Sequence, residues 1–579
     1  MPEGTVETGG ILDWLERAGQ RPDGGLRFVD RAERATWFGW GEVRERALAV
    51  AGGLQALGIE RGDRGDRVAL VFPTGIDFFA GFFGALLAGA VPVPLYPPAR
   101  LGRMEEYLRR TARMLERSGA RLVLADSRLR RILGEAEARP GLGCRTVDDL
   151  PRGPARPVRT KASDLALIQF SSGTTVDPKP VALSHRALAA QTAILTGFFP
   201  DSPERRQSCV SWLPLYHDMG LIGCVFPALA RDAALTLLGP ELFVARPSLW
   251  LRTIASYRAT ISPAPNFAYE LCLTRVPDAD LEGVDLSGWR TALNGAESIS
   301  PAVLRAFCAR FARWGFRPEA MTPVYGLSEA ALAVTFSDFD RPPRVARFDR
   351  DKLARESRAR EAAEGREIVS VGRPVPGFRL RIVDPDLRDL RDLPAGAVGR
   401  VWIQGPSLMD GYLGDPEATA SVLRDGWLDT GDLGFLYGCE GGELYLTGRA
   451  RDVVILRGRN YAPEEIERAV EGVPGVRAGC AAAASWLPED APGEMLSLFV
   501  EASRQATAEE LAALPDACRE AVLGATGLAV DHLVVLAPGA LPRTSSGKLR
   551  RGETLRLYLA GELAVPDPAP APRLTGALA

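Results

Sequence analysis

The chain has 579 residues, of which 46% are hydrophobic and 25% charged, with a formal net charge of −3. That length exceeds one ordinary core and allows about three to four structural units, while the near balance of charge gives no support for nucleic acid or an anionic membrane as the main partner. Eight cysteines stand singly at 144, 209, 224, 272, 308, 439, 480 and 518, with no C-x-x-C pair, which argues against a disulfide framework or a structural zinc.

The opening M-P-E-G-T-V-E-T-G-G has no basic apolar leader, so the expected setting is reducing and cytoplasmic. Residues 78–98 are uncharged and near the length that spans a bilayer, but Pro92, Pro94, Pro97 and Pro98 break the run. The better reading is a buried helix over 76–88, a turn at Gly89 and a short buried strand through 91–93. With R-V-A-L-V-F-P (67–73) before it and R-L-V-L-A-D (121–126) after it, this is the rhythm of parallel α/β layers. A Pro-, Gly- and Arg-rich surface connection over 140–162 leads to the strand L-A-L-I-Q-F (165–170). That strand runs into F-S-S-G-T-T-V-D-P-K-P-V (170–181), after which Ser184 is placed to cap a helix reaching Ala193.

Further strand-to-loop exits are predicted at T-A-L-N-G-A-E (291–297) and M-T-P-V-Y-G-L-S-E (321–329). Three such loops meeting at one sheet edge would make a ligand site of the kind α/β proteins build. Residues 337–368 are charged and irregular, as a solvated helix or an insertion would be. β-like segments at 380–383, 400–404 and 443–447 predict a small β-rich subdomain. Beyond G-R-A-R-D (448–452) lies a compact α/β unit with a helix from Pro463 to Gly472, and the tail from 565 has the composition of a flexible end.

Of 70 Lys plus Arg, only four are lysines, at 161, 179, 352 and 548. Each surviving lysine marks a position where a wide guanidinium is unsuitable, because a compact ammonium and a planar fork are not interchangeable. Lys179 and Lys548 both sit in Gly/Ser/Thr-rich loops. The stretch 170–181 is not a Walker loop, yet four hydroxyls, a glycine and a lysine can hold a polyphosphate. Val176 and Pro180 stiffen it, since Val is restricted at χ1 and Pro fixes φ and lacks an N–H. A stiffer but working loop is the expectation.

The ordered set S-S-G-T-T-x-D-P-K (171–179), W-L-P-L-Y-H-D-M-G-L (212–221), N-G-A-E (294–297), Y-G-L-S-E (325–329), D-G-W-L-D-T-G-D-L-G (425–434), G-R-A-R-D (448–452) and L-P-R-T-S-S-G-K-L-R-R (541–551) resembles the acyl-adenylate-forming superfamily. The resemblance covers residues 11–559, and Y-H-D-M-G-L-I-G, N-G-A-E-S-I and L-R-G-R-N-Y-A-P-E-E-I-E are most similar to fatty acyl-AMP ligases. It implies an α/β fold: a large N-terminal AMP-binding domain (1–450) with two α/β sheet subdomains and a β-rich subdomain, then a smaller mobile α/β domain (451–562) and a tail (563–579). Residues 337–368 fall where those ligases carry an insertion that CoA ligases lack.

The implied activity is attack of a fatty carboxylate on the α-phosphate of ATP, with Mg²⁺, to give acyl-AMP and pyrophosphate. Transfer of the acyl group to the phosphopantetheine thiol of a separate carrier protein follows. By the resemblance, Ser171, Ser172, Gly173, Thr174, Thr175 and Lys179 hold the phosphates. Asn294, Gly295, Ala296, Glu297, Tyr325, Gly326, Leu327 and Ser328 flank the nucleotide. Glu329 and Thr175 serve the metal, Asp432 the ribose hydroxyls, and Arg449 the ribose and phosphate. Lys548 bridges carboxylate and α-phosphate, His217 borders the acyl pocket as a catalytic-site residue, and Arg451 is the hinge. The alternatives are an acyl-CoA ligase, amino-acid activation, for which no clear ammonium anchor besides Asp218 is visible, and a non-catalytic nucleotide-binding homologue.

Overall fold

The computed structural model describes residues 10–60, 65–98, 104–133, 141–171, 178–199, 207–385, 387, 390–438, 442–456, 459–488, 494–544 and 547–563. Its centre is a nine-stranded sheet. Six neighbouring strands, Met321–Gly326, Thr291–Gly295, Ile261–Pro265, Cys209–Ser211, Ala234–Leu237 and Gly25–Val29, run parallel, with antiparallel strands at both edges. Pro263 and Pro265 lie inside this sheet, where a missing N–H ordinarily breaks a ladder. Here the ladder to Cys209–Ser211 holds only at Ile261, and the Ser262 hydroxyl donates to the Val210 carbonyl (2.5 Å) across the gap.

A second, four-stranded parallel sheet comprises Val91–Pro94, Arg67–Val71, Leu122–Ala125 and Cys144–Arg145. Helix Ile76–Leu87, the apolar run of membrane length, packs inside the protein and buries Phe78, Phe79, Phe82 and Phe83. A Cβ added at Gly84 would lie 2.6 Å from Val50 Cγ1, so this helix meets helix Trp40–Ala56 at a distance only glycine allows. No described helix is long and apolar enough to cross a membrane.

The expectation that three site loops leave one sheet edge is corrected. Leu165–Phe170 pairs antiparallel with Pro180–Ser184 in a separate three-stranded sheet completed by Gly411–Tyr412. The phosphate loop therefore tips a hairpin, and Pro180 begins a strand, a position where proline is tolerated. Ser184 caps helix His185–Phe198 by accepting from the Ala187 N–H (3.4 Å). The helix runs five residues beyond Ala193.

Strands Arg379–Val383, Gly399–Gln404, Leu423–Arg424, Trp427–Tyr437 and Glu443–Arg449 form a five-stranded antiparallel sheet. The charged stretch before it is folded, not a solvated helix: Val345–Phe348 pairs with Arg366–Val369 around helix Arg350–Glu356. Phe348 is fully buried, with its ring 5.0 to 5.4 Å from those of Phe435, Tyr437 and Tyr445. The last unit has its own core, including Val454, Ile466, Leu498 and Leu514, between the sheet Val476–Trp486, Met495–Ala502, His532–Leu536 and the helices Pro463–Ala469 and Ala508–Thr526.

Candidate active site

One continuous cavity of about 1930 Å³ is lined by loops from all these units. From the phosphate hairpin it receives Ser171 and Lys179. The Ser171 N–H donates to the Lys179 carbonyl (2.9 Å), closing the base of the loop. Ser172, Gly173, Thr174, Thr175 and Val176 lie outside the described residues. The Lys179 ammonium stands 4.4 Å from the centre of the Tyr412 ring, and the Tyr412 hydroxyl donates to Glu329 Oε1 (2.9 Å). Tyr412 thus sets the spacing between cation and carboxylate, a role the sequence reading missed; its only signal is the G-Y-L-G run at 411–414. Tyr412→Phe keeps the ring under Lys179 but releases Glu329. A several-fold rise in the KM for ATP with kcat little changed is expected, against a larger loss in Tyr412→Ala, measured by pyrophosphate exchange.

Strand Met321–Gly326 delivers Tyr325, Gly326, Leu327, Ser328 and Glu329 to the cavity. A Cβ on Gly326 would fall 1.8 Å from the Leu332 carbonyl oxygen, so the close return of the chain requires glycine. The Ser328 hydroxyl donates to Asp218 Oδ2 (2.6 Å). From strand Thr291–Gly295 the chain passes through Ala296 at φ +69°, a left-handed conformation rare for alanine and frequent at functional sites. Glu297 Oε1 accepts the Phe267 N–H (2.6 Å). Burial pushes its carboxyl up, while that N–H and Lys548 oppose the shift. Asn294 is not brought to the cavity: its side chain is fully buried among the described residues, on the opposite face from Leu293.

Asp432 and Arg449 are cross-strand partners. Asp432 accepts the Tyr325 hydroxyl (2.6 Å) and pairs with Arg449 Nε (3.2 Å). Arg451 follows in the turn that leads to the last unit and also lines the cavity. Lys548 comes from a tight turn in which Thr544 N–H donates to the Lys548 carbonyl (2.8 Å) and Gly547 N–H to the Thr544 carbonyl (3.0 Å). Burial, then Arg449, lowers the Lys548 amine below the usual lysine range, while Asp218, Glu297 and Asp432 hold it up. All four charged neighbours belong to residues before 450, so the last unit is closed over the rest.

His217 stands against Tyr216, with ring centres 5.0 Å apart. Burial carries its imidazole down to about 4, with Lys548 adding to the effect and Asp218 opposing it. A group with that folded value is neutral throughout the physiological range and gains a proton only as pH falls through about 4. Its NMR signals should therefore not titrate between pH 5 and 8; a midpoint near 6.5 would contradict the packing described.

No group of three or more His, Cys, Asp or Glu among the described residues is arranged to cage a metal ion. Glu329 is a single hard carboxylate in the cavity, bonded to the Tyr412 hydroxyl whose ring Lys179 covers, which fits Mg²⁺ arriving with a polyphosphate and keeping its waters.

The profile of the AMP-binding enzyme family matches residues 15–413. A protein of Caulobacter vibrioides, named provisionally as an acyl-CoA synthetase, is 38% identical over 92% of each chain. A long-chain-fatty-acid–AMP ligase of Mycobacterium marinum is 34% identical, covering 94% of this chain and 96% of its own. A structure from work on fatty acyl-adenylate ligases of E. coli and L. pneumophila superposes with a TM-score of 0.87 at 33% identity, covering 95% and 98% of the two chains.

Proposed function

The chain belongs to the AMP-binding enzyme family and is an acyl-adenylate-forming ligase, and from that premise we propose that Lys548 joins a fatty carboxylate to the α-phosphate of ATP in the cavity described. The observation that carries this reading is the convergence of Lys548 on Asp432, Arg449 and Glu297, residues at least 99 positions away in sequence. The reaction brings together two anions, so positioning and charge stabilisation do most of the work. Lys548 is the shared cation. A carboxylate oxygen attacks the α-phosphorus, pyrophosphate departs, and Lys179 with the hydroxyl loop neutralises the leaving charge. Asp432 accepts the ribose hydroxyls with Arg449 holding it in place, and Glu297 with the Tyr325 ring borders the adenine. Glu329 is the residue that would hold Mg²⁺, which supplies charge neutralisation on the phosphates. His217, neutral, walls the acyl entrance.

In the second half-reaction a thiol attacks the acyl carbonyl and AMP leaves. We assign the thiol to the phosphopantetheine of a carrier protein, in a reducing, cytoplasmic setting in keeping with the free thiols of the described cysteines. The folded stretch at 337–368 supports the carrier over free CoA. Arg350 pairs with Glu465 (3.0 Å) and donates to the Ala525 carbonyl (2.5 Å), tying the insertion to the last unit about which rotation must occur. Incubation with ATP, Mg²⁺ and mixed carboxylic acids, followed by mass spectrometry, should detect acyl-AMP. Thioester should then form with a phosphopantetheinylated carrier and not with CoA. Efficient acyl-CoA formation would make the protein an acyl-CoA ligase, and nucleotide binding without any adenylate would make it a non-catalytic homologue.

A further inference from the structure

The loop that carries His217 brings a second titratable group to the cavity. Asp218 is the first residue of the short helix Asp218–Gly220. The chain turns tightly ahead of it: the His217 N–H donates to the Pro214 carbonyl (3.2 Å) and the Leu221 N–H to the His217 carbonyl (2.9 Å). A Cβ on Gly220 would lie 2.2 Å from the Pro214 carbonyl oxygen, so glycine lets the turn close against its own helix. Within this turn the Asp218 carboxylate is fixed at both oxygens. Oδ1 accepts the Met219 N–H (2.8 Å) and Oδ2 the Ser328 hydroxyl (2.6 Å). Ser328 directly precedes Glu329, so one loop serves the phosphate side of the site and steadies Asp218.

Asp218 and Lys548 line the same cavity. Three carboxylates act on the Lys548 ammonium, and they differ in what else engages them. Asp432 pairs with Arg449 (3.2 Å) and accepts the Tyr325 hydroxyl (2.6 Å), which neutralises much of its charge. Burial pushes the Glu297 carboxyl up, towards its uncharged form. Asp218 is held by a hydroxyl and an amide, two neutral donors that fix a carboxylate without cancelling its charge. Of the three it acts most strongly on Lys548, while Arg449 repels the same ammonium and His217, neutral above about 4, does not compete. On the lysine's own loop, Arg543 donates to the Gly547 carbonyl (2.7 Å) and the Gly479 carbonyl (2.5 Å), bracing the turn from behind. The backbone of that turn is thus fixed, but a four-carbon stem ending in a compact ammonium is flexible and takes its direction from the charges around it.

Resting on the acyl-adenylate reading, we propose that Asp218 is a positioning residue for the adenylation step: pinned by Ser328, its carboxylate draws the Lys548 ammonium towards the place where the substrate carboxylate and the α-phosphate meet. Asp218 acts through Lys548 and only while the last unit is closed, so it serves the first half-reaction and not the second.

The test is the pH profile of acyl-AMP formation by the full chain, with ATP, Mg²⁺ and a fatty acid that the unaltered protein activates. Asp218→Asn keeps the shape, can accept the Met219 N–H and can bond to Ser328, but carries no charge. Its kcat should fall by about 10- to 100-fold, the scale of a misplaced catalytic group, with the KM for ATP little changed. The alkaline limb of the profile should move to lower pH, because an ammonium deprived of its carboxylate loses its proton earlier. Asp218→Glu should keep the limb at the parent's pH with part of the rate, and Ser328→Ala should cost less than Asp218→Asn and leave the limb in place. Thioester formation from chemically prepared acyl-AMP should match the parent in all three. An alkaline limb that stays at the parent's pH in Asp218→Asn overturns the proposal, as does a loss confined to the KM for the acid. Preference of the unaltered protein for an acid bearing an ammonium group, abolished in Asp218→Asn, would make Asp218 a substrate anchor and overturns it too. No adenylate from the unaltered protein with any acid overturns the reading beneath it as well.

Discussion

Lys548→Ala is expected to lower the rate of acyl-AMP formation by about two to three orders of magnitude, the scale seen when one preorganised charge-stabilising donor is removed. The amine comes from the last unit and lies in the combined field of Arg449, Asp218, Glu297 and Asp432. Its removal leaves the two reacting anions without a common cation. Lys548→Arg should restore little, because a planar fork beside Arg449 cannot occupy the place of a compact ammonium. Thioester formation from chemically prepared acyl-AMP should survive in both variants. Burial and Arg449 depress the amine, so it is charged below its shifted value and neutral above it. The adenylation rate should accordingly fall, as pH rises, before the ordinary lysine range is reached. Near-normal adenylation by Lys548→Ala would remove Lys548 from the mechanism.

The second large effect is on stability. Arg551, whose side chain is only 14% exposed, binds Glu467 through two bonds (2.6 and 2.7 Å), Glu464 at 3.0 Å and Asp452 at 3.7 Å. Glu467 also accepts the Ala483 N–H (2.9 Å), so it cannot turn away to solvent. Arg551→Ala leaves three carboxylates facing one another and should cost about 3–5 kcal/mol, the range for breaking a buried ion pair by deleting one partner. Trp486 is the sole tryptophan beyond residue 450 among the ten in the chain, so the difference between urea fluorescence transitions recorded with and without a Trp486→Phe background isolates this unit. A loss below about 1 kcal/mol would mean the cluster behaves as a screened surface pair. Because Asp452 belongs to the cluster and Lys548 stands three residues before Arg551, adenylation should fall as well.

Local features were readable in the sequence where chemistry and position coincide. Ser184 stands before its helix with an acceptor in reach of Ala187, and apolar runs such as Leu165–Phe170 have no other stable place. Long-range pairing was less readable. Whether Leu165–Phe170 joins the large sheet or makes a hairpin with Pro180–Ser184 depends on partners that local pattern does not specify. The charge of 340–367 hid its fold, because one phenylalanine, Phe348, anchors it to an aromatic cluster about ninety residues further on. In the site, motif residues are named by composition, but orientation is set by register. Leu293 faces the cavity and Asn294 does not, and Tyr412 entered through strand pairing alone.

The scarcity of lysine has a practical consequence. An amine-selective acylating reagent has four side-chain targets in the whole protein. Lys161 is exposed, Lys352 is bonded to Glu356 on a helix face, and Lys179 and Lys548 line the cavity. Substrate occupancy should shield the last two and leave Lys161 as an internal standard, so peptide mass ratios would report site filling and domain closure without an attached probe. A protein that replaces nearly all its ammonium groups with guanidinium has made its catalytic cations chemically addressable.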